Sequence, residues 1–560
     1  MTILPERLKT LHERNPQRVA VCLQFSGRED HPVTYDQLMR GSAAFAQILA
    51  REGIQPGEVV VLILQHGEEL LYVFWGSILH GSIPSIMPFL TEKLSPERYR
   101  ADLASLISVT KPAAIITYPE FEADVRTALR AGDSVRAVIL TSQIEPAVSL
   151  NFDTLRGFEQ NSEDIVLLQH SSGTTGLQKG VALSHQAVFN QLEAYGSSLM
   201  LTDEDVIISW LPLYHDMGLI AGFLLPILSG IPLVLLSPFD WVRAPYRLMH
   251  SISKYRGTLV WLPNFAYNFC AQKIRDRHMG GVDLSSVRAL INCSEPVRWE
   301  SHRAFFEHFE KYGLKWKALQ TCYAMAENVF AVTQSHLEGG PLVVEIDREV
   351  FMAERLAKRP LEGRPTMKMM SSGTPLQNVQ IRILDEDGNN LPDCAIGEVA
   401  LQSTCMLTGY FNRPDLTHSA FRDGWYLTGD YGFVSSGELF VSGRKKDMII
   451  VGGKNVYPQD LEALTYEVAG VHAGRSVAFG IFDEGQGTEE VVIIAEVDSE
   501  DAAEQQKIAD ALRAHITKNS AIALRHVKVV GPKWILKTSS GKTARSANKE
   551  KFLQELQNGQ

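Results

Sequence analysis

DIVLLQHSSGTTGLQKGV (residues 164–181) runs an apolar strand straight into a loop of serines, threonines and glycines that ends on a lysine. A short, unbroken apolar run is what a strand covered on both faces requires, so this stretch points to a layered α/β sheet. The loop has the composition that holds phosphate: glycines let the backbone approach closely, N–H groups and hydroxyls donate, and Lys179 supplies charge. Gly173, Gly176 and Lys179-Gly180 do not fit the frame G-x-x-x-x-G-K-[ST], so this is not a Walker loop. A Ser/Gly surface turn has a similar composition. The preceding strand and Lys179 tilt the reading toward phosphate.

Working outward, the first half of the chain alternates helices with apolar runs. Residues 35–53 have helical periodicity and a glycine stop, and VVVLIL (59–64) follows as a strand. A helix through 69–79 comes next, then AAIITY, RAVIL, DVIISWLP and TLVWLP in turn. Apolar runs separated by helices predict parallel sheets covered on both faces. Residues 218–239 carry no charge, a length compatible with a membrane span, but Pro226, Pro232, Pro238, Gly222 and Gly230 divide them into a buried helix and the strand IPLVLL. After about Ser371 the pattern alternates and contains an Asp-Gly turn, which predicts antiparallel strands. The expected fold is therefore α/β, mixed α+β. A large N-terminal domain over 1–443 combines βαβ-layered sheets with a small β-barrel-like subdomain. The break at 444–447 leads into a small α+β domain over 448–560, with a helix from Pro458, strands SVAFGIF and EVVIIAEV, a helix over 504–517 and a basic tail.

At 560 residues the chain exceeds one compact core. A net charge of −11 disfavours nucleic acid as a partner. The six cysteines show neither CxxC pairing nor metal spacing and read as thiols in a reducing, cytoplasmic setting. The N-terminus lacks the apolar core of a signal peptide.

Three further stretches carry chemistry. YAMAENVF (323–330) offers an aromatic face and, at Glu327, a carboxylate suited to Mg²⁺. YLTGDYGF (426–433) puts Asp430 in a tight turn, where its carboxylate can accept both hydroxyls of a ribose. ILKTSSGKTAR (535–545) contains half a Walker motif, but Leu536 stands where the first glycine belongs. Taken singly, these are a surface acid, a turn former and a solvated charge. Their order along one chain is the informative feature.

That order resembles the adenylate-forming superfamily of acyl-CoA synthetases, carrier-protein acyl ligases, peptide-synthetase adenylation domains and luciferases, from VTYDQL near 33 to SSGKTAR near 545. The resemblance implies that the loop, through Ser171, Ser172, Gly173, Thr174, Thr175, Gly176 and Lys179, holds the β- and γ-phosphates of ATP. It implies that Tyr323 stacks on adenine beside Ala324, Met325 and Ala326, with Ser294, Glu295 and Pro296 lining the same site. Asp430 and Arg444 then hold the ribose, Glu327 holds Mg²⁺ with Thr174 acting on it indirectly, and Lys542 bridges the carboxylate and the α-phosphate. Lys446 matches the hinge about which the small domain swivels between half-reactions. The chemistry agrees: two anions must meet, so cations and oriented donors are needed, and an ionised carboxylate needs no general base.

SWLPLYHDMGLI (209–220), LPNFAYNFC (262–270), SEPVR (294–298), YPQDLE (457–462) and the extended linker over 343–357 are similar to the fatty acyl-AMP ligases, which hand the acyl group to the phosphopantetheine arm of an acyl carrier protein. Tyr214, His215 and Asp216 match that pattern, and His215 joins Lys542 and Glu327 as an expected catalytic residue. Trp210, Asn264, Phe265 and Cys293 are the expected acyl pocket. The chain departs from the family at Gln178, Ala324, Cys293 and Ser294. Bulk at Cys293, Trp210 and Trp261 predicts a medium-chain or functionalised acid rather than a long-chain one. Between 525 and 551 eight Lys/Arg face one acid, a patch that suits an acidic carrier protein. The alternatives are an acyl-CoA synthetase, which differs in the thiol acceptor, and a non-catalytic acyl-AMP binder.

Overall fold

The computed structural model describes residues 3–89, 96–144, 149–171, 179–451, 454–472, 474–483, 488–520, 522, 524–538 and 541–558. Two large sheets form the centre. One runs in the order Thr374–Pro375, Ala331–Gln334, Leu319–Ala324, Ala289–Asn292, Leu259–Leu262, Ile207–Ser209, Leu233–Leu236, Val19–Gln24, His31–Thr34. Its inner strands, from Leu319–Ala324 through Val19–Gln24, are parallel, and the flanking strands are antiparallel. The other runs Gly409–Tyr410, Lys179–Ser184, Ile165–Ser171, Ile83–Ile86, Val59–Ile63, Ala114–Thr117, Ala137–Leu140.

Both faces of the second sheet are covered, as the apolar runs require. Val60, Leu62, Ala114 and Ile116 join the main core. Val61, Ile63 and Ile115 point the other way, into a cluster with Leu103, Ile107 and Val125 from the helices Pro96–Thr110 and Glu122–Ala128. The helices Tyr35–Arg51 and Glu68–His80 cross in the main core at short range. A side chain at Gly41 would meet the Tyr72 ring at 2.4 Å, and one at Gly76 would meet the Ser42 carbonyl at 2.6 Å. Thr34 and Gln37 close a reciprocal capping box at the start of the first. The uncharged stretch after 217 forms a π-helix (Met217–Leu224), a short helix (Leu225–Ser229) and the strand Leu233–Leu236. Among the described residues, no helix is long and apolar enough to cross a membrane.

The antiparallel texture after 371 appears as a five-stranded sheet of Val379–Leu384, Gly397–Ser403, Trp425–Ser435, Phe421–Arg422 and Glu438–Arg444. The small domain follows, and here the sequence reading needs correction. Its basic tail is an ordered strand, His526–Val530, and a helix, Arg545–Asn558. The strand Ser476–Asp483 pairs with Thr488–Glu496, which pairs with His526–Val530. Leu461, Leu512 and Ile516 cover one face of this sheet, while Ile535 and Phe552 cover the other. The last helix buries little besides Phe552 and Asn548, so its periodicity is faint in the sequence. Three of the eight basic residues form ion pairs with acids elsewhere in the chain. Arg525 pairs with Asp483 and Glu490, Lys528 with Glu555, and Arg545 with Asp447 and Glu462.

Burial pushes His66, His80, His170, His185 and His302 down to about 4 and His215 to about 3. The unfolded chain therefore binds more protons than the native state between the ordinary histidine range and about pH 4. Stability is fully present above about pH 6.5 and is lost as pH falls through that window. Calorimetry should show a falling Tm from pH 7 to pH 5, with proton uptake on unfolding; a flat Tm over that range would contradict this account.

Candidate active site

The cleft lies at the carboxyl ends of the parallel strands, where open α/β sheets present ligands. Tyr323 stands near the end of Leu319–Ala324 with its ring buried, and its hydroxyl donates to Asp430 Oδ2 at 2.6 Å. Asp430 belongs to the long strand Trp425–Ser435 rather than to a tight turn. The register with Gly397–Ser403 jumps between Glu398↔Tyr431 and Ala400↔Leu427, a bulge in which Gly429 takes φ +71°. Bulges re-aim a side chain without ending the strand, which a turn-forming Thr-Gly-Asp sequence does not reveal. Arg444 is the register partner of Asp430, its Nε 3.6 Å from Oδ1. Burial pushes the Asp430 carboxyl up, and Arg444 and the Tyr323 hydroxyl pull it back.

Glu327 sits on one 3-10 turn, Ala326–Asn328, and accepts from the Tyr410 hydroxyl at 2.9 Å. That hydroxyl is 3.0 Å from Tyr426, and Lys179 Nζ lies 4.6 Å from the Tyr410 ring centroid. Burial pushes the Glu327 carboxyl up, Asp216 adds to the rise, and Tyr410 and Lys179 oppose it. The chain leaves this turn through Val329 at φ +61°, ψ −55°, with Phe330 N–H donating to the Asn328 carbonyl at 2.6 Å. A positive-φ γ-turn at a β-branched residue costs about 1–3 kcal/mol. Gln169 donates to the Val329 carbonyl at 3.2 Å, and Gln191 accepts from Phe330 N–H at 3.2 Å, so two buried glutamines hold the turn.

Ser171 ends the strand Ile165–Ser171, and Lys179 opens its antiparallel partner, so the glycine-rich loop closes a hairpin. Ser172, Gly173, Thr174, Thr175, Gly176 and the residues through 178 lie outside the described residues.

The loop after Ala289–Asn292 carries Cys293, Ser294 at φ +67°, Glu295 and Pro296. Glu295 Oε2 accepts from the backbone N–H of Phe265 at 2.8 Å, at the start of the helix Asn264–Lys273. Asn264 Oδ1 accepts from Asn292 at 3.0 Å and from the Arg298 backbone at 3.3 Å, and its amide donates to Ser301 at 3.1 Å. Asn264 thus ties strand ends together. Trp210 stacks on Trp241 at 3.5 Å and 12°, with the Phe265 ring edge-on to it at 6.4 Å. Cys293 Sγ touches Met217 Sδ at 3.0 Å, and Trp261 is fully buried, donating to the Tyr195 hydroxyl at 2.8 Å.

Lys542 is presented by a turn in the small domain. Thr538 N–H donates to the Lys542 carbonyl at 2.8 Å, Lys542 N–H donates to Thr538 Oγ1 at 3.2 Å, and Gly541 takes φ +85°. A side chain on Gly541 would lie 3.9 Å from the Phe265 ring, so the turn is seated against the large domain. Burial pushes Asp216 and Glu295 up and Lys542 draws both back. His215 is held neutral by burial, with Lys542 acting in the same direction. Lys446, on the turn Lys445–Asp447, is pushed down by burial and by Arg444 and Lys179. Lys179, Arg444, Lys446 and Lys542 therefore bring cationic charge to a cleft whose acids are Asp216, Glu295, Glu327 and Asp430. Asp216, Tyr410, Gln169 and Gln191 were not among the expected site residues. Asp216 adjoins His215, so its place beside the Glu327 turn is visible only once the chain folds.

A buried aromatic hydrogen-bonded to an acid, with cations around it, fits an enzyme that uses a nucleotide to activate its substrate. The chain is a member of the AMP-binding enzyme family, whose model matches residues 8–411. Within that family it falls in the fatty acyl-AMP ligase branch of the adenylate-forming enzymes. The long-chain-fatty-acid–AMP ligase FadD28 of Mycobacterium tuberculosis is 30% identical, covering 93% of this chain and 92% of its own. The medium-chain-fatty-acid–[acyl-carrier-protein] ligase JamA of Moorena producens is 28% identical, over 97% of this chain and 93% of its own. A solved chain from a study of fatty acyl-adenylate ligases from E. coli and L. pneumophila superposes with a TM-score of 0.90 at 26% identity, covering 100% of this chain and 99% of that one.

Tyr323 and Asp430 share a hydrogen bond, so their contributions to AMP binding should be coupled. In a cycle of Tyr323→Phe, Asp430→Asn and the double variant, titration calorimetry with AMP should give a coupling energy of about 0.5–3 kcal/mol. Strict additivity would contradict a shared role.

Proposed function

We propose that this protein activates a carboxylic acid with ATP and passes the acyl group to the phosphopantetheine thiol of an acyl carrier protein. The observations that carry the reading are the Tyr323–Asp430–Arg444 contact and, on the other side, the Lys542 turn seated against Phe265, whose backbone N–H Glu295 holds. In the first step a carboxylate oxygen attacks the α-phosphorus, the bond to the β-phosphate oxygen breaks, and pyrophosphate leaves. In the second, the thiol sulfur attacks the acyl carbon and AMP departs.

Each side chain has work that suits its surroundings. Tyr323 packs on the base, with Ala324, Met325 and Ala326 and with Ser294, Glu295 and Pro296 around it. Asp430, whose charged form Arg444 favours against burial, accepts hydrogen bonds from the ribose hydroxyls. Lys542 bridges the two reacting anions, where oriented positive charge has most effect. Lys179 and the loop from Ser171 to Gly176 hold the departing phosphates. His215, neutral throughout the working pH range, serves as a hydrogen-bonding group rather than as a cation. Mg²⁺ suits the Glu327 carboxylate, a hard oxygen ligand, with Thr174 acting on the ion indirectly. When bound, the ion neutralises charge developing on the phosphates.

A carrier-protein acceptor is favoured by the similarity to JamA and by the linker over 343–357, which packs toward the small domain through Phe351 and Tyr457. The Trp210–Trp241 stack, with Phe265 edge-on to Trp210, and the Cys293–Met217 contact support a medium-chain or functionalised acid, because they put bulk where the expected acyl pocket lies. The domain division proposed is 1–443 and 448–560, with Lys446 at the hinge.

The decisive assay offers a panel of acids with ATP, follows pyrophosphate, and then offers free CoA beside a holo carrier protein with the products read by mass. Acyl-carrier product without acyl-CoA is expected; acyl-CoA alone would replace this reading with an acyl-CoA synthetase. Lys542→Ala should slow pyrophosphate release by about 10²–10³-fold while sparing transfer from supplied acyl-AMP, and Lys446→Pro should do the reverse. Octanoate should be adenylated faster than hexadecanoate, and Trp210→Ala should move the preference toward the longer acid by about 10-fold.

A further inference from the structure

Two motifs far apart in sequence, SEPVR (294–298) and YPQDLE (457–462), meet across the two domains. Arg298 Nη2 donates to the Gln459 carbonyl at 2.6 Å and lies 3.3 Å from Asp460 Oδ1. On the large-domain side, the Arg298 backbone is fixed by Asn264, which Asn292 and Ser301 hold in turn. Three residues upstream, Glu295 holds the Phe265 backbone N–H and faces Lys542.

On the small-domain side, Gln459 and Asp460 form the first turn of the helix Pro458–Thr465. From the same helix, Glu462 accepts from Arg545 at 2.7 Å and from the Ala478 backbone at 2.9 Å. Arg545 stands three residues after Lys542 and also binds Asp447, directly after the hinge lysine, at 3.0 Å. An unbroken line of polar contacts therefore joins the loop carrying Glu295 to the turn carrying Lys542, and it crosses between domains at Arg298.

We propose that Arg298 with Gln459 and Asp460 is a positioning clamp. It seats the small domain so that Lys542 faces the cleft for acyl-AMP formation, and it opens when the small domain turns for acyl transfer. This rests on the two-step reading above. The geometry favours a releasable contact: both side chains are partly exposed, at 26% and 36%, so water reaches each and replaces its partner on separation, even though burial pushes the Asp460 carboxyl up against the pull of Arg298. One of the two bonds is to a backbone carbonyl, which fixes position without depending on the partner's side chain.

The test measures each half-reaction alone. Arg298→Ala should slow pyrophosphate formation by about 10–100-fold, mostly in kcat, and leave transfer from supplied acyl-AMP unchanged or faster. Asp460→Asn, which keeps the carbonyl contact, should lose less, and Arg298→Lys, which keeps the charge, should fall between wild type and Arg298→Ala. Limited proteolysis at 444–448 supplies a readout independent of chemistry, and Arg298→Ala should be cut there faster than wild type at equal melting temperature. Equal loss of both half-reactions, or unchanged cleavage, would overturn the clamp. If wild type releases no pyrophosphate with any acid, the ligase reading falls, and the cleavage rates still decide whether Arg298 seats the small domain.

Discussion

The hydrogen bond from Tyr323 to Asp430 is the contact on which the rest of the site depends. It joins the last parallel strand of the nine-stranded sheet to the bulged strand of the antiparallel sheet, whose Val399, Leu401 and Tyr426 pack into the same main core. Asp430 is withdrawn from solvent, and a carboxylate there keeps its charge only with partners, so Arg444 must come from the adjacent strand. Arg444 is the last residue of that strand, and the turn Lys445–Asp447 follows at once. The partner that satisfies this acid therefore lies at the start of the proposed hinge at 444–447.

Much of the architecture was legible because burial on both faces leaves a plain mark. Val59–Ile63, Ala114–Thr117, Leu233–Leu236 and Leu259–Leu262 are buried throughout, and they read as apolar runs because no position in them faces water. The small domain's closing strand and helix were not legible. His526–Val530 lies at a sheet edge with only Val530 fully buried, and Arg545–Asn558 covers the sheet mainly through Phe552. Lysines and arginines dominate such a sequence, and their ion pairs with Asp447, Glu462 and Glu555 are non-local.

The site divides along the same line. Residue types tied to a local motif, such as Tyr323, Glu327, Asp430 and Lys542, could be named from spacing and resemblance. Residues whose part depends on a distant partner could not. Tyr410 reaches Glu327 from a short edge strand, and Gln169 and Gln191 pin a strained Val329 from two other elements. Ordinary tyrosines and glutamines carry no signature of such a task. Asn264, expected in the pocket, instead spends its amide on Asn292, Ser301 and Arg298.

The division of forces across the domain boundary follows from what the molecule must do. Within each domain, aliphatic and aromatic side chains pack into continuous cores, whose rearrangement would cost far more than a conformational step can supply. Among the described residues, contacts between the domains are mixed and include Arg298 with Gln459 and Asp460, Gln459 with the Ser442 carbonyl, Arg348 with the Asn519 carbonyl, and Tyr457 packed with Phe351 and Phe433. Polar contacts near water exchange one partner for solvent at small net cost, so they fix an orientation without making it permanent. On the proposed reading Lys542 uses both properties: a defined position, its turn set against Phe265, while two anions are brought together, and freedom to leave once the anhydride exists. A boundary made of a second apolar core would supply the first and forbid the second.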